Sequence, residues 1–235
     1  MKKLFILAVL LMAAACVKNY PMVSGTSAMG SCDGQYFISD EGVSYKIVQD
    51  NSPEPLGAMD RVYVSFDVIG GSGKNYDIRV LAWSKPLVKD WVKVSNAAEE
   101  QALGSDPIRI TKGWMSGGYI NMDIMLTIKR ESETKHVVNL CLCNPPVQQD
   151  TLRLAFRHNG NEESITAEML NTLDQDALKE QYATGSSLVC FPTSGLLPDG
   201  SDSLPFKITT LWTHHDEQTG KWLLEEEYTV GILRR

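Results

Sequence analysis

Polar and apolar residues alternate with a period of two in several stretches of this chain, and those stretches predict strands. Over residues 61–68, Val62, Val64, Phe66 and Val68 take one phase and Arg61, Tyr63, Ser65 and Asp67 the other, which buries one face of a sheet. Residues 119–129 repeat the pattern over a longer span, with Ile120, Met122, Ile124, Leu126 and Ile128 against Asn121, Asp123, Thr127 and Lys129. Leu152, Leu154 and Phe156 oppose Arg153 and Arg157; Phe206, Ile208, Thr210 and Trp212 oppose Lys207, Thr209 and Thr213. Shorter runs at 35–39, 43–49, 77–83, 136–143, 188–191 and 222–232 add further strands, with turns at Asp40-Glu41-Gly42 and at 216–220. One short helix interrupts them: Thr172 with Gln175 forms a capping-box pattern, Leu173, Ala177 and Leu178 supply an apolar stripe, and Gly185 closes it. The pattern predicts an all-β protein.

The chain opens differently. Lys2 and Lys3 precede an apolar stretch over 4–12, then Ala13, Ala14, Ala15 and Cys16. This is an export signal ending in a lipobox. As a helix, residues 4–15 would rise only about 18 Å, too short for a hydrocarbon core of about 30 Å. Cleavage before Cys16 and acylation of its thiol are therefore expected, tethering the mature chain to a membrane of the bacterial envelope. Residues 17–29 mix Pro, Ser, Thr and Gly without a period and read as a flexible tether. A polar segment at 95–105, ahead of Asp106-Pro107, separates two groups of strands. The expected organisation is a signal peptide at 1–15, a tether at 16–31, a small barrel at 32–104 and a β-sandwich carrying the helix at 105–235.

The net charge of −7 becomes two units more negative once Lys2 and Lys3 are removed, and no dense cationic cluster offsets it. Such a balance argues against nucleic acid as a partner. Cys141 and Cys143 are two apart and share a strand face, without a second close pair to complete a tetrahedral metal site, so they read as small buried residues. Whether Cys190 bridges one of them, and the redox state of Cys32, is left open by the sequence.

The motifs that carry chemistry are missing: no Gly-x-Ser-x-Gly elbow, no His-Glu-x-x-His, no phosphate loop. Gly70-Gly71-Ser72-Gly73-Lys74 joins two strands and reads as a hairpin loop. His214 and His215 are adjacent on a strand and point to opposite faces. His158 ends a strand and could work with a carboxylate such as Glu162, but no nucleophile stands beside it, so no catalytic residue, metal or cofactor is assigned. Most tryptophans sit at apolar phase and read as core. Trp114 is the exception, in the glycine-rich Gly113-Trp114-Met115-Ser116-Gly117-Gly118, and with Tyr119 it is the candidate ligand contact.

Asp106-Pro107-Ile108, Gly113-Trp114, Gly118-Tyr119-Ile120-Asn121, His136, and the run from Leu152 through Arg157-His158-Asn159 resemble the NigD-like lipoproteins of Bacteroidetes. The resemblance implies an N-terminal OB-fold barrel, a C-terminal β-sandwich and a role in bacteriocin immunity. It carries over no catalytic or binding residue. The expectation is a non-enzymatic envelope lipoprotein that binds a protein or peptide; a glycan-binding lipoprotein of nutrient uptake, stacking sugars on Trp114, is the alternative, and a hydrolase using His158 the third reading.

Overall fold

The computed structural model describes residues 23–234. The signal segment and Cys16 lie outside the described residues. Among those described, no helix is long and apolar enough to cross a membrane.

The first five strands, β1 (Val23–Asp33), β2 (Tyr36–Ser39), β3 (Ser44–Asp50), β4 (Ala58–Ser72) and β5 (Asn75–Ser84), form a closed barrel in the order β1-β2-β3-β5-β4. Every neighbouring pair is antiparallel except β3 with β5, which run parallel. The alternation over 61–68 does what its period requires: Val62, Val64 and Phe66 point into the barrel with Phe37, Ile78 and Val80, all fully buried. Burying each such side chain stabilises the fold by roughly 1.5–3 kcal/mol.

β1 is a correction. The flexible tether expected through residue 31 is instead, from Val23 onward, a strand paired along β4. Its alternation is carried by Ala28, Gly30 and other small residues, which give no hydrophobic signal. Gly30 is required where β1 meets β2, because a Cβ there would lie 2.0 Å from the Ile38 carbonyl oxygen.

After the barrel come β6 (Leu87–Val88), β7 (Val92–Lys93), α1 (Ala97–Ala102), β8 (Arg109–Ser116), β9 (Tyr119–Lys129), β10 (Val137–Gln148), β11 (Thr151–Asn159), α2 (Ala167–Thr172), α3 (Gln175–Gln181), β12 (Tyr182–Pro192), β13 (Ser203–Asp216) and β14 (Lys221–Arg234). They build two facing sheets, β14-β13-β11-β10-β7 and β6-β12-β9-β8. Ile108, Met122, Leu140, Leu154, Phe156, Phe191 and Ile208 fill the space between them.

The module change falls earlier than the pattern suggested. β6 pairs with β12 and β7 with β10, so the chain enters both sandwich sheets before residue 95, and the barrel ends at Ser84. The segment 95–105 is not a linker. It carries α1, capped by the Asn96 side chain accepting from the Glu99 amide, with Val94, Leu103, Cys141, Cys143 and Ala155 in a small apolar cluster beside it. The single expected helix is likewise two: Thr172 ends α2, Asp174 rather than Thr172 caps α3, and Gly185 lies inside β12.

Candidate functional site

Barrel and sandwich meet around one buried cation. Arg61 takes the outward phase of β4, yet its side chain is only 6% exposed because the β8–β9 hairpin lies over it. Its two terminal nitrogens donate to the Asp40 carboxylate at 2.6 and 2.9 Å, and one of them also to Asn121 Oδ1 at 2.8 Å and the Ser116 carbonyl at 3.3 Å. The guanidinium carbon stands 4.4 Å from the centre of the Tyr119 ring. Ser116 Oγ donates to Asp40, and the Asn121 amide donates to Ser116 Oγ at 3.1 Å. A buried charge needs this much satisfaction, since the desolvation it suffers is several kcal/mol. Burial pulls the Arg61 pKa down, but the hydrogen bonds and charge of Asp40 outweigh it, and the net shift is upward.

The turn that delivers Ser116 admits no side chain at its apex. Gly117 has φ +58° and a Cβ there would meet Asp40 Oδ1 at 2.3 Å and Arg61 Nη1 at 2.6 Å. Asp40, read from the sequence only as a turn residue, is the counter-ion of the junction.

Separate grooves run along this junction. One, of about 490 Å³, is lined by Met29, Tyr45, Tyr63, Lys112 and Trp114. Another holds Asp33, Asp60, Arg61, Lys85 and Tyr119. The two candidate contact residues therefore face different grooves of one junction. Trp114 is not in an unforced loop: it lies in β8, opposite Asn121 of β9. A register shift between Ile110 and Lys112 breaks the period of two in β8, which hid the strand. The Lys112 ammonium sits over one face of the Trp114 ring, 5.0 Å from its centre.

The other residues weighed for chemistry are structural here. His158 is fully buried. Its Nδ1 lies 3.1 Å from the Pro107 carbonyl, which can only accept, so Nδ1 carries the proton and Nε2 accepts from His136 Nδ1 at 2.9 Å. The Asp106 amide donates to the His158 carbonyl, and the Gly160 amide donates to Asp106 Oδ2 at 2.6 Å. Burial first, and the neighbouring His136 second, hold the His158 pKa below its usual value. Glu162 is exposed and makes no hydrogen bond to His158. This cluster clamps residues 106–107 to the end of β11 and keeps the His158 ring out of contact with solvent.

Cys32, Cys141, Cys143 and Cys190 are free and buried. Burial pushes the Cys141 thiol up to about 12 and that of Cys143 up to about 11. His214 bonds Glu227 across the sheet while His215 packs on Trp222, as opposite faces demand. Among the described residues, no group of three or more His, Cys, Asp or Glu is placed to hold a metal ion.

Residues 90–189 match the model of the NigD-like C-terminal beta sandwich domain. The matched stretch, which takes in most of the sandwich, is similar to that domain. The solved structures it resembles include a NigD-like immunity protein from Bacteroides caccae, at 14% identity and TM-score 0.57 over 88% of this chain and 93% of that one. A candidate lipoprotein from Bacteroides fragilis, at 14% identity, gives 0.59 over 88% and 97%. A protein of unknown function from Bacteroides vulgatus, at 18% identity, gives 0.57 over 87% and 91%. Identities this low establish a shared fold. No curated protein matches the chain in sequence. Among the matched residues, six of those that carried the sequence resemblance lie in the two clusters above: Trp114, Tyr119 and Asn121 at the junction, Asp106, His136 and His158 in the clamp.

Proposed function

We propose that this protein is a non-enzymatic, lipid-anchored interaction module of the bacterial envelope that acts in bacteriocin immunity, engaging a polypeptide along the barrel–sandwich junction. The observation that carries this reading is the use made of its polar residues. Arg61, Asp40, Asn121 and Ser116 are consumed in holding two modules together, and the groove that presents Tyr45, Tyr63 and Trp114 carries only Glu41 and Lys112 as charges, while Tyr119 lines the more charged groove beside it. Aromatic side chains on a rigid support are the usual anchors of protein recognition. The closed five-stranded barrel, with its parallel β3–β5 pair, supports an OB-fold assignment for the first module, a scaffold that binds many kinds of ligand. The fold shared with the immunity protein of Bacteroides caccae adds the biological context. Lys112 over Trp114 counts against the glycan reading, because it occupies one of the two ring faces on which a sugar could stack.

A bacteriocin challenge tests the proposal. Cells lacking the protein should be killed at lower doses, and the wild-type gene should restore survival. Cys16→Ser, which cannot form the thioether that carries diacylglycerol, should incorporate no labelled fatty acid and fail to protect. Trp114→Ala should fold and be lipidated yet protect less. Killing curves that coincide with and without the gene would remove the immunity role.

A further inference from the structure

The last strand ends the five-stranded sheet, and among the described residues no strand pairs with its outer edge. β14 pairs residue for residue with β13 and shows no register shift. Trp222, near its start, has both its amide and its carbonyl bonded to the Asn171 side chain of α2, each at 2.8 Å, so both groups point away from β13. In an antiparallel strand this direction alternates. Leu224, Glu226, Tyr228, Val230 and Ile232 therefore also aim their amides and carbonyls outward, and no strand accepts them. Asn171 covers the strand only at Trp222.

The same residues share one sheet face, on which Leu224, Tyr228, Val230 and Ile232 are exposed. Val230 is 74% exposed, Tyr228 54% and Ile232 52%, the three most exposed large apolar side chains among the described residues. Exposed apolar side chains and open backbone groups on one long edge are what proteins ordinarily avoid. Their charged neighbours on that face have opposite signs: Glu226 lies on one side of Val230 and Arg234 at the same spacing on the other.

We propose that β14 pairs antiparallel with β14 of a second copy of this chain, about a two-fold axis at Val230, joining two sandwiches through one continuous sheet. In that register Val230 faces its own copy, Tyr228 faces Ile232, and Glu226 faces Arg234, twice over by symmetry. All are residues whose backbone groups point outward, so each facing pair exchanges two hydrogen bonds. An interface of this kind must be self-complementary, and the order acid, aromatic, axis, aliphatic, base along β14 meets that condition. A pairing shifted by two residues would set Glu226 against Ile232 and leave Arg234 opposite Leu224.

Cysteine crosslinking in the full-length chain, in its own envelope, tests this. Hydrogen-bonded antiparallel partners have Cα atoms about 5.5 Å apart, within the span of a disulfide. Val230→Cys should therefore form a disulfide-linked dimer, while Leu223→Cys, exposed on the same strand but off the predicted register, should not. Cys32, Cys141, Cys143 and Cys190 are buried and do not compete. Adding Glu226→Arg to Val230→Cys should cut the crosslinked fraction several-fold, and adding Arg234→Glu as well should restore it. If Val230→Cys stays monomeric, crosslinks no better than Leu223→Cys, or links only to a different protein, β14 is not a self-pairing edge. A dimer that the charge exchange does not restore would overturn the register. None of these results depends on bacteriocin immunity.

Discussion

At the scale of single residues, the chain hides its most informative groups in unremarkable positions. His158, at the end of a strand, has the sequence position of a catalytic base; the structure uses it as a link between Pro107 and His136. Its depressed pKa has a definite consequence for stability. In the unfolded chain the imidazole takes a proton as the pH falls through about 6.5, whereas the folded protein resists it, because burial and the facing His136 ring outweigh the Pro107 carbonyl and the nearby Asp106, which favour the charged form. The unfolded state then binds more protons. The contribution of His158 is therefore complete above about pH 6.5, is lost as the pH falls toward the depressed folded value, and levels off below it. The slope is at most about 1.4 kcal/mol per pH unit for one group. Denaturant midpoints measured from pH 8 to pH 5 should fall more steeply for the wild type than for His158→Gln. Parallel curves would mean that the buried ring titrates normally.

At the scale of elements, legibility followed from whether a segment's structure is written in itself. β9 is legible to its last residue because its apolar positions never leave phase. β8 carries no such signal because a bulge puts Ile110 and Met115, five apart, against the same core. β1 carries none because its inward residues are small, and α1 because six residues make no stable helix alone. What holds α1 is distant in sequence: Glu100 pairs with the buried Arg157 of β11, and the Asn144 side chain donates to the Ser95 carbonyl at 2.6 Å. Cys143 lies against Glu100 and Cys141 beneath the same cover. Glu100→Ala should therefore release α1 and uncover them. In the wild type, maleimide should leave both thiols unmodified until the protein unfolds, being buried and held far above neutral pH. In the variant Cys143 should label first, with Cys32 and Cys190 still protected. Equal labelling of the two proteins would show that α1 stays docked without its ion pair.

At the scale of the whole molecule, the barrel and the sandwich each have a core of their own, and the chain passes between them once, at residues 84–87. Two such modules would unfold separately if only that crossing joined them. The junction argues otherwise. Arg61 leaves the barrel wall to bond the sandwich residues Asn121 and Ser116, and Asp40 balances its charge while taking the Ser116 hydroxyl. Asp40 and Arg61 are each only 6% exposed in their side chains, so neither charge can fall back on water. Replacing Asp40 by Ala leaves a buried guanidinium without its counter-ion, a change that typically costs about 3–5 kcal/mol. That cost falls on the barrel and the junction and spares the sandwich core. Calorimetry should then show one transition for the wild type and two for Asp40→Ala, the earlier one assigned to the barrel by the exposure of Cys32. Removing the cation as well, in Asp40→Ala with Arg61→Leu, should recover part of the loss, because no unpaired charge remains. A single, unshifted transition for Asp40→Ala would mean that the ion pair is dispensable, and that the modules are held together by the short crossing and by apolar contact alone.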